Sequence, residues 1–182
     1  MYHCLIKRDK VSTGLPIAID ATCSGLQILA GMAKDKSTAQ LVNVIPAEKP
    51  QDAYKVVADK SKPNIPDFLH PFWDRTTCKR SVMTIPYNAK PFSNRSYIRD
   101  ALKEKGIEIE KDDLTVCVKA LRDAMESEFP GPMNVMKWIE EEVSKAIKRG
   151  AMKLTWVTPS GFVVSQKIMK KQIERLQLQL LG

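Results

Sequence analysis

The segment Arg75-Thr76-Thr77-Cys78-Lys79-Arg80-Ser81-Val82-Met83-Thr84-Ile85-Pro86-Tyr87 constrains this chain more than any other. Arg75, Lys79, Met83 and Tyr87 stand at successive four-residue steps. Residues four apart share one face of an α-helix. The spacing therefore predicts a helix from about Phe72 to Ile85, with two cations, a thioether and a ring in line. Pro86 lacks a backbone donor and clashes with the turn before it, so the helix has to stop or kink there. At a helical rise of about 1.5 Å per residue, Lys79 and Tyr87 lie roughly 12 Å apart, the length of a nucleoside triphosphate. Cations at one end suit phosphates, and the ring at the other suits a base and its sugar.

A second feature gives that face a partner. Gly14 to Asp20 reads as a short buried strand ending in a carboxylate. A strand end would hold Asp20 rigidly, and the carbonyl of Ala21 can point at the same ion. Transfer of a nucleotidyl group needs a divalent metal to activate a hydroxyl and to neutralise the leaving pyrophosphate. Mg²⁺ takes one or two carboxylates together with substrate phosphates and waters. Asp20 and Lys79 are thus candidate catalytic residues, with Asp20 and Ala21 as metal ligands. Arg75 and Lys79 would hold the triphosphate, and one of them can give a proton to departing pyrophosphate. Arg80 lies one residue off that face and suits template or phosphate. Each residue also has a plainer reading: Asp20 as a turn cap, the cations as a solvated face, Met83 as core, Tyr87 as a buried ring with its hydroxyl satisfied.

The 182 residues suit one domain or one and a half. A net charge of +8 favours polyanionic partners, nucleic acid among them, although a merely soluble basic domain has the same balance. Cys4, Cys23, Cys78 and Cys117 are widely spaced and His3 and His70 stand apart. That argues against a zinc ribbon or redox pair and for reduced thiols in a cytosolic compartment. No apolar run reaches the roughly 18 residues of a membrane span, and the N-terminus carries no signal-peptide pattern.

Along the chain, Ser24 to Gln27 has capping-box form before an apolar stripe of Leu26, Leu29, Ala30 and Ala33. Leu41 to Ile45 reads as extended. Gln51 to Lys60 reads as a helix with Ala53, Val56 and Val57 inward and Tyr54 semi-exposed. Lys62 to Pro71 holds three prolines and reads as a loop. Further helices are expected over Asn94 to Lys105, closed by Gly106, then from Asp112 with Leu114, Val118, Leu121 and Met125 inward. After Pro130-Gly131-Pro132 another helix carries Met136, Ile139, Val143 and Ile147. A hairpin over Lys153–Thr158 and Phe162–Gln166 follows, then a half-buried strand within Ile173 to Leu181. Tyr54, Trp73 and Trp138 are candidates for stacking on bases, with packing as the alternative. Lys90, Arg95, Arg99, Lys145, Lys148, Lys153, Lys167, Lys170 and Lys171 could track a phosphate backbone.

These residues carry a resemblance. Asp20-Ala21-Thr22-Cys23-Ser24-Gly25-Leu26-Gln27 resembles motif A of the single-subunit, phage-type DNA-directed RNA polymerases, and Arg75 to Tyr87 is similar to their motif B over thirteen positions. Val42-Asn43, Gln51-Asp52 with Tyr54, and Trp156 to Phe162 agree in order. The resemblance implies an α+β fold: right-hand palm strands with a mainly helical fingers insertion, incomplete here. Residues 1–40 would be palm with motif A, 41–150 fingers with motif B, and 151–182 strands returning to the palm. It implies Asp20 as a metal-binding aspartate, Arg75 and Lys79 as triphosphate ligands, and Met83, Tyr87, Gly25 and Tyr54 around the incoming nucleotide. The related A-type DNA polymerases carry a glutamate at the position of Gly25, which crowds a 2′ hydroxyl; glycine favours ribonucleotides.

Two departures stand out. Asn88 replaces the usual glycine after the motif B tyrosine, and asparagine tolerates a left-handed backbone. Motif C, with the second metal-binding aspartate, falls downstream of this sequence. The expectation is DNA-templated RNA synthesis with Mg²⁺, on a DNA template with nascent RNA and ribonucleoside triphosphates as partners. The isolated chain is expected to be inactive. The alternatives are one subunit of a split polymerase, its missing regions on another chain, or a non-catalytic nucleic-acid-binding remnant. The implied setting is the cytoplasm of an infected bacterial cell.

Overall fold

In the computed structural model, residues 14, 16 and 23–168 are described. The expected strand ending at Asp20 and the expected strand within 173–181 lie outside them. What is described is mostly helical. Seven α-helices run α1 Ser24–Ala33, α2 Lys36–Leu41, α3 Ala53–Ser61, α4 Arg75–Thr84, α5 Pro91–Glu104, α6 Lys111–Glu128 and α7 Pro130–Lys148. Two strands, β1 Lys153–Val157 and β2 Val163–Lys167, form an antiparallel hairpin.

The helix ends follow from local chemistry. Asp35, Asp52 and Asp74 cap α2, α3 and α4, each accepting from backbone N–H groups of the first turn. At the other ends Lys34, Asn88 and Gly106 adopt left-handed backbone. Around Asn88 the N–H of Asn88 bonds to Ile85 and that of Ala89 to Thr84, which closes the orphan carbonyls in a Schellman arrangement. The tolerance of asparagine for this conformation, expected from sequence, is what the turn uses: Asn88 has φ 68°. Pro86 ends α4 as expected, and Ile85–Tyr87 tightens into a 3₁₀ turn.

The core lies where α3 packs against α4 and α6, and α5 lies along both α4 and α6; α1 packs on α7. Leu114, Val118, Leu121 and Met125 are all buried on α6, as their spacing predicted. With Val57, Leu69, Val82, Ile98, Leu102 and Phe129 they form one continuous cluster. Each such side chain contributes about 1.5–3 kcal/mol relative to exposure.

Five local expectations are corrected in whole or in part. Leu41 to Ile45 is not extended: Leu41 closes α2, which forms because Asp35 accepts from the N–H and hydroxyl of Thr38 and from the Ser37 hydroxyl. Ser24 is not a capping residue but the first residue of α1; the preceding Cys23 is left-handed and makes no side-chain cap. The proline-rich loop is two 3₁₀ turns, Lys62–Asn64 and Asp67–Phe72. Tyr54 is buried, 4% exposed. The stripe expected on α7 shares a face, but Ile139 and Ile147 remain exposed among the described residues.

Candidate active site

Helix α4 presents its basic face to solvent because the opposite face, Thr77, Cys78, Ser81 and Val82, is buried. Arg75, Lys79 and Met83 therefore point outward together, and Tyr87 follows on the 3₁₀ turn with 66% of its surface exposed. Three members of the line expected from spacing thus share the exposed face of α4, while Tyr87 lies beyond the helix end.

The start of α4 is held firmly. Lys105, at the end of α5, donates to the carbonyl of Phe72 and the hydroxyl of Thr77, both at 2.8 Å, and pairs with Asp74 at 2.8 Å. Burial by itself would raise the Asp74 carboxyl, but the bond from Lys105 and the capping N–H of Thr77 outweigh it and hold it below its ordinary value.

The cations gather around one ring. The Arg75 guanidinium lies 5.1 Å from the centre of Tyr54 and the Lys79 ammonium 6.0 Å, within range of cation–π attraction. Arg75 also donates through Nε to Asp52 Oδ2. Tyr54 therefore sits beneath the cations rather than open to a base. Burial raises its hydroxyl well above the ordinary range, and its hydrogen bond to Cys23 adds to that. Burial likewise raises the Cys23 thiol. Arg80 turns away: its guanidinium stacks 4.2 Å from the Tyr97 ring and reaches Asp100 at 4.0 Å.

At the far end, the Tyr87 hydroxyl bonds to the Ser24 hydroxyl at 3.0 Å. Gly25 lies directly behind the ring. A Cβ on Gly25 would fall 2.8 Å from the Pro86 Cβ and 3.0 Å from the Tyr87 ring, closer than real contacts allow. Any side chain at position 25 would run into Pro86 and Tyr87. The absence of a Cβ, read from sequence as room for substrate, is first a condition for this packing.

Two clefts open here. One, of ≈ 180 Å³, is bounded by Ser24, Gly25, Met83, Pro86 and Tyr87; the other, of ≈ 310 Å³, by Asn43, Gln51, Asp52, Tyr54 and Arg75. Cys23 borders both. Asp20 and Ala21 lie outside the described residues. Among the described residues no group of three or more His, Cys, Asp or Glu side chains could hold a metal ion, and no helix is long and apolar enough to cross a membrane. Of the other stacking candidates, Trp73 is buried and donates to Ser61 at 2.8 Å, whereas Trp138 is exposed.

Sequence reasoning did not single out Ser24 or Cys23 as neighbours of these rings, nor the ion pair of Asp52 with Arg75. Asp52 carried a signal, since an aspartate just before an apolar-periodic stretch marks a helix start. The Ser24–Tyr87 contact joins residues 63 apart and left none.

The sequence model for the family described as DNA-dependent RNA polymerase matches residues 4–181. Among curated proteins, the chain is 27% identical to the DNA-directed RNA polymerase of Enterobacteria phage T3, over 92% of this chain and 25% of the relative. It is 31% identical to the chloroplastic DNA-directed RNA polymerase 3B of Nicotiana tabacum, over 94% of this chain and 20% of the relative. With the mitochondrial polymerase 1B of the same plant it shares 28% over 92% of its length. The chain spans about a quarter or less of the length of these three relatives.

Proposed function

The chain belongs to the DNA-dependent RNA polymerase family, and from that premise we propose that it supplies the nucleotide-binding part of an enzyme of DNA-templated RNA synthesis. Residues 41–150 are read as fingers, with the flanking segments belonging to a palm. Arg75 and Lys79 hold the triphosphate of an incoming ribonucleotide, and Tyr87 sits beside its ribose. Gly25 acts through Tyr87, by letting the ring lie against α1. Tyr54 serves as the floor beneath the two cations, and Met83 lines the nucleotide cleft.

One observation carries this reading. Arg75 and Tyr87 line the two clefts that meet at Cys23, and Cys23 follows Asp20 by three residues, a tether of at most about 10 Å. That tether keeps Asp20 within reach of the triphosphate ligands, which supports reading its carboxylate as part of the same site. A divalent ion at Asp20 and the Ala21 carbonyl would supply hydroxyl activation and neutralise pyrophosphate. Arg80, engaged with Tyr97 and Asp100, is read as a contact to template or phosphate only after leaving them. The relatives named above come from a phage and from plant organelles and favour no single setting.

The test is calorimetric titration of the chain with ATP and with inorganic tripolyphosphate. Lys79→Ala is expected to weaken both about tenfold, the loss of one charge-assisted phosphate contact. Tyr87→Leu is expected to weaken ATP alone. Unchanged affinity for both ligands in Lys79→Ala would refute the assignment.

A further inference from the structure

We propose that Asp52 is a positioning residue that presents the guanidinium fork of Arg75 to the triphosphate, rather than a counter-ion that merely neutralises it. This rests on the reading of Arg75 as a triphosphate ligand.

The geometry divides the work of one carboxylate. Asp52 Oδ1 accepts from the N–H groups of Tyr54 at 3.0 Å and Lys55 at 3.2 Å, which fixes the side chain at the start of α3. Oδ2 is left to face α4, where it accepts from Arg75 Nε. Neither terminal nitrogen of Arg75 has a hydrogen-bond partner among the described residues. Those two nitrogens form the planar pair that binds a phosphate bidentately. A carboxylate competing for the phosphate site would take the terminal pair. This one takes only Nε, at the back of the fork.

Two further contacts fix the plane. The guanidinium lies over the Tyr54 ring, one residue beyond the Ala53 that follows Asp52, so floor and back-stop come from the same helix start. Arg75 is itself the first residue of α4, which Lys105 ties down through Asp74. Free Arg side chains lose considerable rotamer freedom on binding a ligand. A guanidinium already held at Nε and against a ring has lost much of it beforehand. Asp52 is itself held below its ordinary value: burial would raise it, but the Arg75 bond and the two N–H groups outweigh burial.

The experiment compares tripolyphosphate binding by the unaltered chain, Asp52→Asn, Arg75→Ala and the double variant. Asn caps a helix as well as Asp. With its oxygen kept on the cap, its NH₂ faces Arg75 Nε, donor against donor, and turns the guanidinium away. Positioning predicts that Asp52→Asn weakens binding at least threefold even though it removes one negative charge, and that the double variant binds as Arg75→Ala does. Asp52→Ser, which caps but is too short to reach the guanidinium, is expected to behave likewise and guards against a fold defect peculiar to Asn; thermal melting follows each variant. Tighter binding by Asp52→Asn and Asp52→Ser, beside weaker binding by Arg75→Ala, would overturn positioning and leave the triphosphate reading standing. A double variant weaker than Arg75→Ala would also overturn it, because Asp52 would then act without Arg75. Arg75→Ala with unchanged affinity would remove the triphosphate reading of Arg75, and this proposal with it.

Discussion

The block made by α3 to α6 and the region from mid-α7 through the hairpin treat their apolar residues in opposite ways. In the block, Val57, Val82, Ile98, Leu102, Leu114 and Leu121 are fully buried, and each helix covers another. Beyond Met136, Trp138 is 60% exposed, Trp156 49% and Phe162 68%. The hairpin pairs Trp156 with Val164 and Val157 with Val163, yet neither of its faces is covered among the described residues. The block is a self-supporting scaffold whose outer surface is free to carry charge. The other region has the sequence pattern of buried structure without its burial. The basic face of α4 belongs to the scaffold.

The comparison breaks first on core truncation. Leu121→Ala is expected to cost about 2–5 kcal/mol, because Leu121 is fully enclosed and the cavity cannot collapse freely. Trp156→Ala is expected to change stability by about 0.5 kcal/mol or less in this chain. Urea unfolding of both variants measures the difference. Equal losses would mean that the hairpin belongs to the same cooperative unit.

Two smaller effects sharpen how the scaffold holds its site. Lys105→Met removes the cation that joins Phe72, Asp74 and Thr77 at the head of α4. A loss of about 1–3 kcal/mol is expected, from an unpaired carbonyl and carboxylate. Gly25→Ala is expected to cost about 1–3 kcal/mol, since its Cβ must push Pro86 or Tyr87 aside. It should also weaken ATP more than tripolyphosphate, because the disturbance falls at the Tyr87 end. Equal weakening of both ligands would place the damage at the cations instead.

Much of the scaffold was legible in the sequence because its signals are local. The α6 stripe repeats with helical period, Pro86 stops α4 by its own covalent structure, and Asn88 suits a left-handed turn. The four-residue steps from Arg75 set the exposed face once Cys78 and Val82 were buried. What was not legible depends on tertiary placement. Tyr54 was read as semi-exposed because nothing local says that Arg75 and Lys79 lie over it. Leu41 was read as extended because a short apolar run carries no period, and the capping chemistry of Asp35 with Thr38 went unread. Ser24 looked like a cap because its spacing to Gln27 fits one, but the left-handed Cys23 took that position and freed the Ser24 hydroxyl for Tyr87. The apolar residues of α7 and the hairpin were read correctly as a pattern; their cover is a separate matter that the pattern does not supply.

The smallest effect tests the border between the two regions. Asp35, at the corner of α1 and α2, accepts from the N–H of Gly131 in the first turn of α7 at 3.1 Å, as well as from Thr38 and Ser37. Burial would raise this carboxyl, but the four hydrogen bonds outweigh it and hold it at about 2, against 3.8 for an ordinary aspartate. A carboxyl depressed in the folded state stabilises the fold above its unfolded value, and that stabilisation is lost as pH falls from about 4 toward 2. For a side chain still in contact with solvent the contribution is on the order of 1 kcal/mol. Asp35→Asn removes this component at every pH. The gap in melting temperature between the unaltered chain and Asp35→Asn is therefore expected to be widest above about pH 5 and to narrow by pH 2.5. Taking the difference also cancels the other depressed carboxylates, Asp52, Asp74 and Glu140. A gap that stays constant with pH would mean that Asp35 joins α7 to the scaffold by shape rather than by charge.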